Sequence, residues 1–301
     1  LHARNSQLDL HDWEGLPLLT IQFKDFAFGH TFYEQFQHST ATYGGEQNTI
    51  EIEKAEEYTN VIIYLSEIRG EEGDKRKQIA SLLTNVTIKH MFPIWLTEWL
   101  RNDFHYKDPY EIDAIIEHAR DIFFNMKRNI PLSISFFEWQ KGMFRHYEQF
   151  IRDAVNFSID SFLRFRLREI REELMEVVEK AIDEYKYEHD YQIMVQTCRE
   201  FLQKNNPRIH TVHLYLDYEF KFVDEKGRQV SQQDIRRWLV HDLCFEAPLP
   251  ITERVVGPLV SIAPKKLIIH TRQHHDGLIQ TLLSVFEERV ELVEESTAGK
   301  Q

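Results

Sequence analysis

The chain has 301 residues, of which 42% are hydrophobic and 13% aromatic, enough to bury one large core or two modest ones. Its net charge of −13 works against binding polyanions over the body as a whole, so nucleic acid is a poor partner. Two cysteines, Cys198 and Cys244, without CxxC or Cys/His ligand spacing, exclude a disulfide framework and a zinc module.

The apolar stretches at 92–96 and 255–263 contain prolines and fall short of the roughly 18 residues a spanning helix needs, so no membrane segment is expected. Asp9, Asp12 and Glu14 interrupt the stretch where a signal peptide would be apolar, which points to the cytoplasm. Residue 1 is Leu, which fits either an unusual start codon or a missing beginning.

The pattern predicts an α+β protein: a central helical bundle between a small N-terminal mixed unit (1–72) and a C-terminal α/β unit (209–294) that contains a β-hairpin. The N-terminal unit reads as a strand at 18–23, a helix around 28–37 and strands at 49–53 and 61–66. Two glycines and seven charges make 69–77 a solvated linker and a domain boundary.

From 77 to 205 the period is helical. Asp108, Pro109 and Glu111 open one helix, and Ser135 with Glu138 has the spacing of a capping box for another. A long helix is predicted from about 158 past 185, with Leu163, Leu167, Ile170, Leu174, Val177 and Ala181 as its seam. Asn205, Asn206 and Pro207 end the region.

Beyond the proline the pattern alternates. Val212, Leu214 and Leu216 face one way and Thr211, His213 and Tyr215 the other, giving a hairpin closed near Asp217 and Tyr218 with a turn at 224–227. A helix at 231–243, a helix at 253–262 kinked by Gly257 and Pro258, a strand at 266–270, a helix at 278–287 and a strand at 290–293 complete the unit. No GxxxxGK[ST], GxGxxG or GxSxG motif occurs.

Several segments look alike, in order and spacing, to one family. FLRFRL at 162–167 leads into REIREELMEVVEKAIDEY; NPRIHTVHLYL follows at 206–216, FVDEKG at 222–227 and SIAPKKLIIH at 261–270. Over residues 80–290 the chain resembles the YtxC-type sporulation proteins, with Gly257 and Pro258 as a departure from their helix pattern. That resemblance implies a protein of endospore-forming bacteria and supplies no reaction, cofactor or catalytic residue to carry over.

Three clusters bear chemistry. Arg164, Arg168 and Arg171 fall on one face of the predicted helix, and with Lys265 and Lys266 they could hold an anion or an acidic partner; the plainer reading pairs them with Glu169, Glu172 and Glu173. His270, His274, His275 and Asp276 offer imidazole and carboxylate to zinc, iron or manganese, against a polar loop in which Asp276 caps the next helix. His-Asp pairs at 189–190, 241–242 and 275–276 have the dipeptide used by HD-type metal-dependent phosphohydrolases, where a distant His and Asp complete the site.

The expectation is a cytoplasmic, sporulation-associated helper whose partner is a protein and which needs no cofactor. A metal-dependent hydrolase built on the His270 cluster and an anion or nucleic-acid binder using the Arg164 to Arg171 face are the alternatives.

Overall fold

The computed structural model describes residues 18–42, 49–65, 68, 71–124, 130–152, 154–216, 220–239, 255–271 and 277–294. It divides into two compact units with the boundary between Glu184 and Tyr185. The α+β class is borne out, with one mixed four-stranded sheet in each unit.

In the first unit β1 (Leu18–Phe23), β2 (Ile50–Lys54) and β3 (Thr59–Tyr64) form an antiparallel set in the order β2-β3-β1, with Ile21 opposite Val61. Alternation turns Leu19, Ile21 and Phe23 inward together with Val61 and Ile63, all fully buried. Helix α1 (Phe26–Thr42) lays Phe28 and Phe32 on Phe23, with ring centroids 5.1 and 5.8 Å away. Gly29 permits that approach, since a Cβ there would stand 3.2 Å from Phe23. Asp25 caps the helix by accepting from the N–H groups of Ala27 and Phe28.

Helix α2 (Glu72–Asn102) begins inside the segment expected to be a linker. Charge and glycines suggest a loop, but from Glu72 on the segment is the start of a helix, in which Lys75 Nζ donates to Leu65 O and Arg76 Nη1 to Ile151 O. Helices α3 (Pro109–Phe123) and α4 (Phe136–Ile151) start at the predicted signals: Asp108 accepts from Tyr110 N, and Ser135 exchanges bonds with Glu138. On α4, Trp139, Met143, Tyr147 and Ile151 recur every four residues and are fully buried. Burial raises the Tyr147 phenol, whose oxygen lies 2.7 Å from Thr87 Oγ1 on α2.

Strand β4 (Asn156–Ser158) joins β1 in parallel and was not predicted, because three residues carry too little periodicity to register. The long helix predicted next is three helices: α5 (Ile159–Arg166), α6 (Arg168–Glu172) and α7 (Met175–Lys204). The predicted seam is buried throughout, yet the chain bends at Leu167, where φ is −103° and ψ is 15°. At the second break Leu174 N turns to Arg171 O, which leaves the Ile170 carbonyl to accept the Trp139 indole N–H at 2.7 Å. A buried indole that must find a partner thus stands against helix continuity, a tertiary effect invisible to periodicity.

In the second unit β5 (Thr211–Leu216) and β6 (Phe220–Asp224) are the expected hairpin, whose closing residues 217–219 lie outside the described residues. Helix α8 (Gln232–Trp238) is capped by Ser231. Helix α9 (Gly257–Ile262) follows directly on a π-helical turn at 255–256, so the helical pattern changes at Gly257 and Pro258, where the kink was expected; 253–254 lie outside the described residues. Strand β7 (Lys266–Thr271), helix α10 (Gly277–Phe286), a 3₁₀ turn (Glu287–Arg289) and β8 (Val290–Glu294) follow. The order is β6-β5-β7-β8, with β7 parallel to both neighbours. Val212, Leu214, Leu267 and Ile269 pack with Val195, Cys198 and Leu202 of α7 and with Leu259, Leu282 and Val285.

Trp139→Ala is expected to lower unfolding stability by about 3–5 kcal/mol, the cost of a large core cavity, read from urea midpoints. Trp139→Phe, which keeps most of the volume and loses the bond to Ile170, should cost clearly less.

Candidate functional site

Three of the segments that carry the family resemblance meet on one edge of the second unit. The carbonyl of His210, at the end of NPRIH, accepts from Lys265 N and Lys266 N of APKK at 3.0 and 3.1 Å. Reciprocally, Arg208 N donates to Ile262 O at 2.9 Å and Arg208 Nε to Ser261 O at 3.1 Å. Ala263, in the left-handed region at φ 52°, ends α9 and turns the chain toward β7. These bonds stand just before the parallel pairing of Thr211 with Lys266.

The FVDEKG segment contributes a turn organised by one carboxylate. Asp224 Oδ1 accepts from Lys226 N and Arg228 N at 2.9 and 2.8 Å, and Oδ2 from Arg228 Nε and Nη2 at 2.9 and 2.8 Å. Gly227 supplies the φ of +74° that the turn requires. The Arg228 N–H above all, with the Arg228 side chain and the Lys226 N–H, holds the Asp224 carboxyl below its ordinary value against desolvation.

Between these segments and α8 lies a cleft of 440 Å³ lined by Arg208, His210, Asp224, Glu225, Arg228 and Trp238 among others. Its cations are not equivalent. Arg228 is neutralised by Asp224, whereas Arg208 commits only Nε, and its guanidinium sits 6.0 Å over the Trp238 ring. Its two Nη groups have no partner among the described residues. An exposed guanidinium with its fork open beside an indole wall suits a carboxylate or phosphate.

The residues singled out from sequence fare differently. The bend at Leu167 takes Arg164 and Arg168 off a common helical face, correcting that expectation. Arg168 pairs with Glu172 at 2.8 Å, as the plainer reading had it; Arg171 pairs instead with Glu98 at 2.6 Å and lies 4.9 Å over Trp99. Arg164 is exposed beside Phe165. Lys266 pairs with Glu291 at 2.5 Å, while Lys265 is exposed and bonded through its N–H to the His210 carbonyl. The arginines belong to the first unit and the lysines to the second.

His270 Nε2 lies 3.0 Å from Nδ1 of His213 on the adjacent strand, and its ring stacks on Tyr215 at 4.2 Å. The two imidazole centroids are 5.3 Å apart, which is the N···N distance plus about one ring radius at each end. The nitrogens therefore point at each other within hydrogen-bonding distance, leaving no room for a metal between them. His274, His275, Asp276 and the pair at 241–242 lie outside the described residues, and among the described residues no three His, Cys, Asp or Glu side chains gather as a metal site. His189 and Asp190 are exposed neighbours on α7. Cys198 is fully buried, which pushes its thiol up to about 12.

Arg208, His210, Asp224 and Trp238 were not singled out as site residues. The first three lie inside the quoted motifs, but only the pairing of β5 with β7 brings those motifs together, and a single sequence does not encode that pairing locally.

A family model described as the YtxC-like family matches residues 77–291. The Uncharacterized protein YtxC of Bacillus subtilis (strain 168) is 34% identical over 137 residues, covering 46% of this chain and 48% of that protein, so the match spans just under half of either. No solved structure matches the chain. Among the described residues no helix is long and apolar enough to cross a membrane.

Because the Asp224 carboxyl is lowered in the folded state, its contribution is complete above about pH 4 and is lost as pH falls through the lowered value. Stability measured from about pH 6 to about pH 2.5 should fall less steeply in Asp224→Asn than in the parent. In a Cys244→Ser background, Cys198 should fail to react with a thiol-specific disulfide reagent at about pH 8 until denaturant is added.

Proposed function

The chain belongs to the YtxC-like family, and from that premise we propose that it is a cytoplasmic, sporulation-associated binding protein whose second unit receives an acidic segment of a partner protein. The open fork of Arg208 in the cleft beside Trp238 is the observation that carries this reading. His210 adds an exposed imidazole to the lining, and exposed Lys265 follows directly on the same backbone junction.

The charge of the chain limits the ligand. A body of net charge −13 repels extended polyanions at a distance, so an attractive contact has to be short and local. A few carboxylates in a protein segment meet that condition better than a nucleic-acid backbone does. Arg168 and Arg171, both engaged within the first unit, are left out of the proposed site.

A fluorescein-labelled hexaglutamate peptide, titrated into the full chain at about 50 mM salt, is expected to bind saturably and to weaken at about 300 mM. Arg208→Gln should raise its Kd at least about tenfold, the scale of a charge-assisted hydrogen-bond pair, while Arg168→Gln leaves it unchanged. Absence of binding to the parent, or equal affinity in Arg208→Gln, contradicts the proposal.

A further inference from the structure

The first unit contains a second concavity, of different chemistry. Phe92 on α2, Phe124 just beyond α3 and Phe136 at the start of α4 converge, with centroids 4.7 Å apart for Phe92 and Phe124 and 5.0 Å for Phe124 and Phe136. They floor a cleft of 350 Å³, within the size range of small-ligand sites.

The rim is polar and cationic. Lys89 is exposed and makes no ion pair among the described residues. Arg120 Nε is shielded from water without a hydrogen bond; Glu117 Oε1 stands 3.3 Å away but outside hydrogen-bonding geometry. Gln140 Nε2 donates to Asn85 Oδ1 at 3.1 Å, so this amide pair still offers the Gln140 carbonyl and the Asn85 amide protons. An aromatic floor alone would take any apolar body, whereas two cations and an amide pair above it select one with a charged head.

We infer that this cleft binds a small amphipathic anion: an aromatic or branched apolar body lying on Phe92, Phe124 and Phe136, with a single carboxylate, sulfonate or phosphate head held by Lys89 and Arg120. The site is independent of the acidic-segment cleft, which lies in the other unit and has no such apolar floor.

Two dyes of nearly the same shape test this on the full chain. 8-Anilinonaphthalene-1-sulfonate carries the anion, and N-phenyl-1-naphthylamine lacks it. The sulfonate should bind one equivalent saturably, and Lys89→Gln/Arg120→Gln should weaken it at least about tenfold while changing the neutral dye less than about twofold. Asn85→Trp, at an exposed helix position, should block both dyes, and Arg208→Gln should affect neither. No saturable sulfonate binding, sulfonate affinity unchanged in a double variant that unfolds at the parental temperature, or parental binding of both dyes by Asn85→Trp overturns the inference.

Discussion

The second unit depends on one backbone junction. A strand that pairs in parallel with a distant strand needs its register set where the two begin, because no tight turn does so. Here the His210 carbonyl takes the Lys265 and Lys266 amides while Arg208 reaches back to Ile262 and Ser261. With that junction in place, Thr211 falls beside Lys266, and the inward residues of β5 and β7 meet α9, α10 and the end of α7 in one core. The same bonds hold Arg208 by its backbone and by Nε, which orients the rest of the guanidinium over Trp238. Register and candidate site are consequences of the same contacts.

The first unit shows a comparable economy. The Trp139 indole needs an acceptor once buried, and it finds the Ile170 carbonyl because the helix is interrupted at Leu174. Two arginines lie on the short helix just before that interruption. Arg171 reaches Glu98 and Trp99, and Arg168 closes on its own helix at Glu172. Two of the arginines that look most available in the bare sequence are thus already paired.

What was legible in the residues is what local physics determines. Alternation gave β5 and short apolar runs gave β1 and β7; the Asp108, Ser135 and Ser231 caps gave helix starts; and Pro207 marked the change from helical to extended chain. The failures share a nonlocal cause. β4 exists because β1 offers it an edge, the break at Leu174 answers to packing by α4, and His270 meets His213 only across paired strands. The site is a harder case still: Arg208, His210 and Asp224 stand inside the quoted motifs and Trp238 outside them, and their meaning as a cleft appears only when segments more than 50 positions apart are joined.

Native-state hydrogen exchange at the amides of Arg208, Lys265 and Lys266 tests the central claim most directly. If the junction sets the register, these three amides exchange together and as slowly as those of Leu214 and Ile269 inside β5 and β7. Rapid exchange of the three while the strand interiors stay protected would show that the sheet holds without the junction, and would contradict the account.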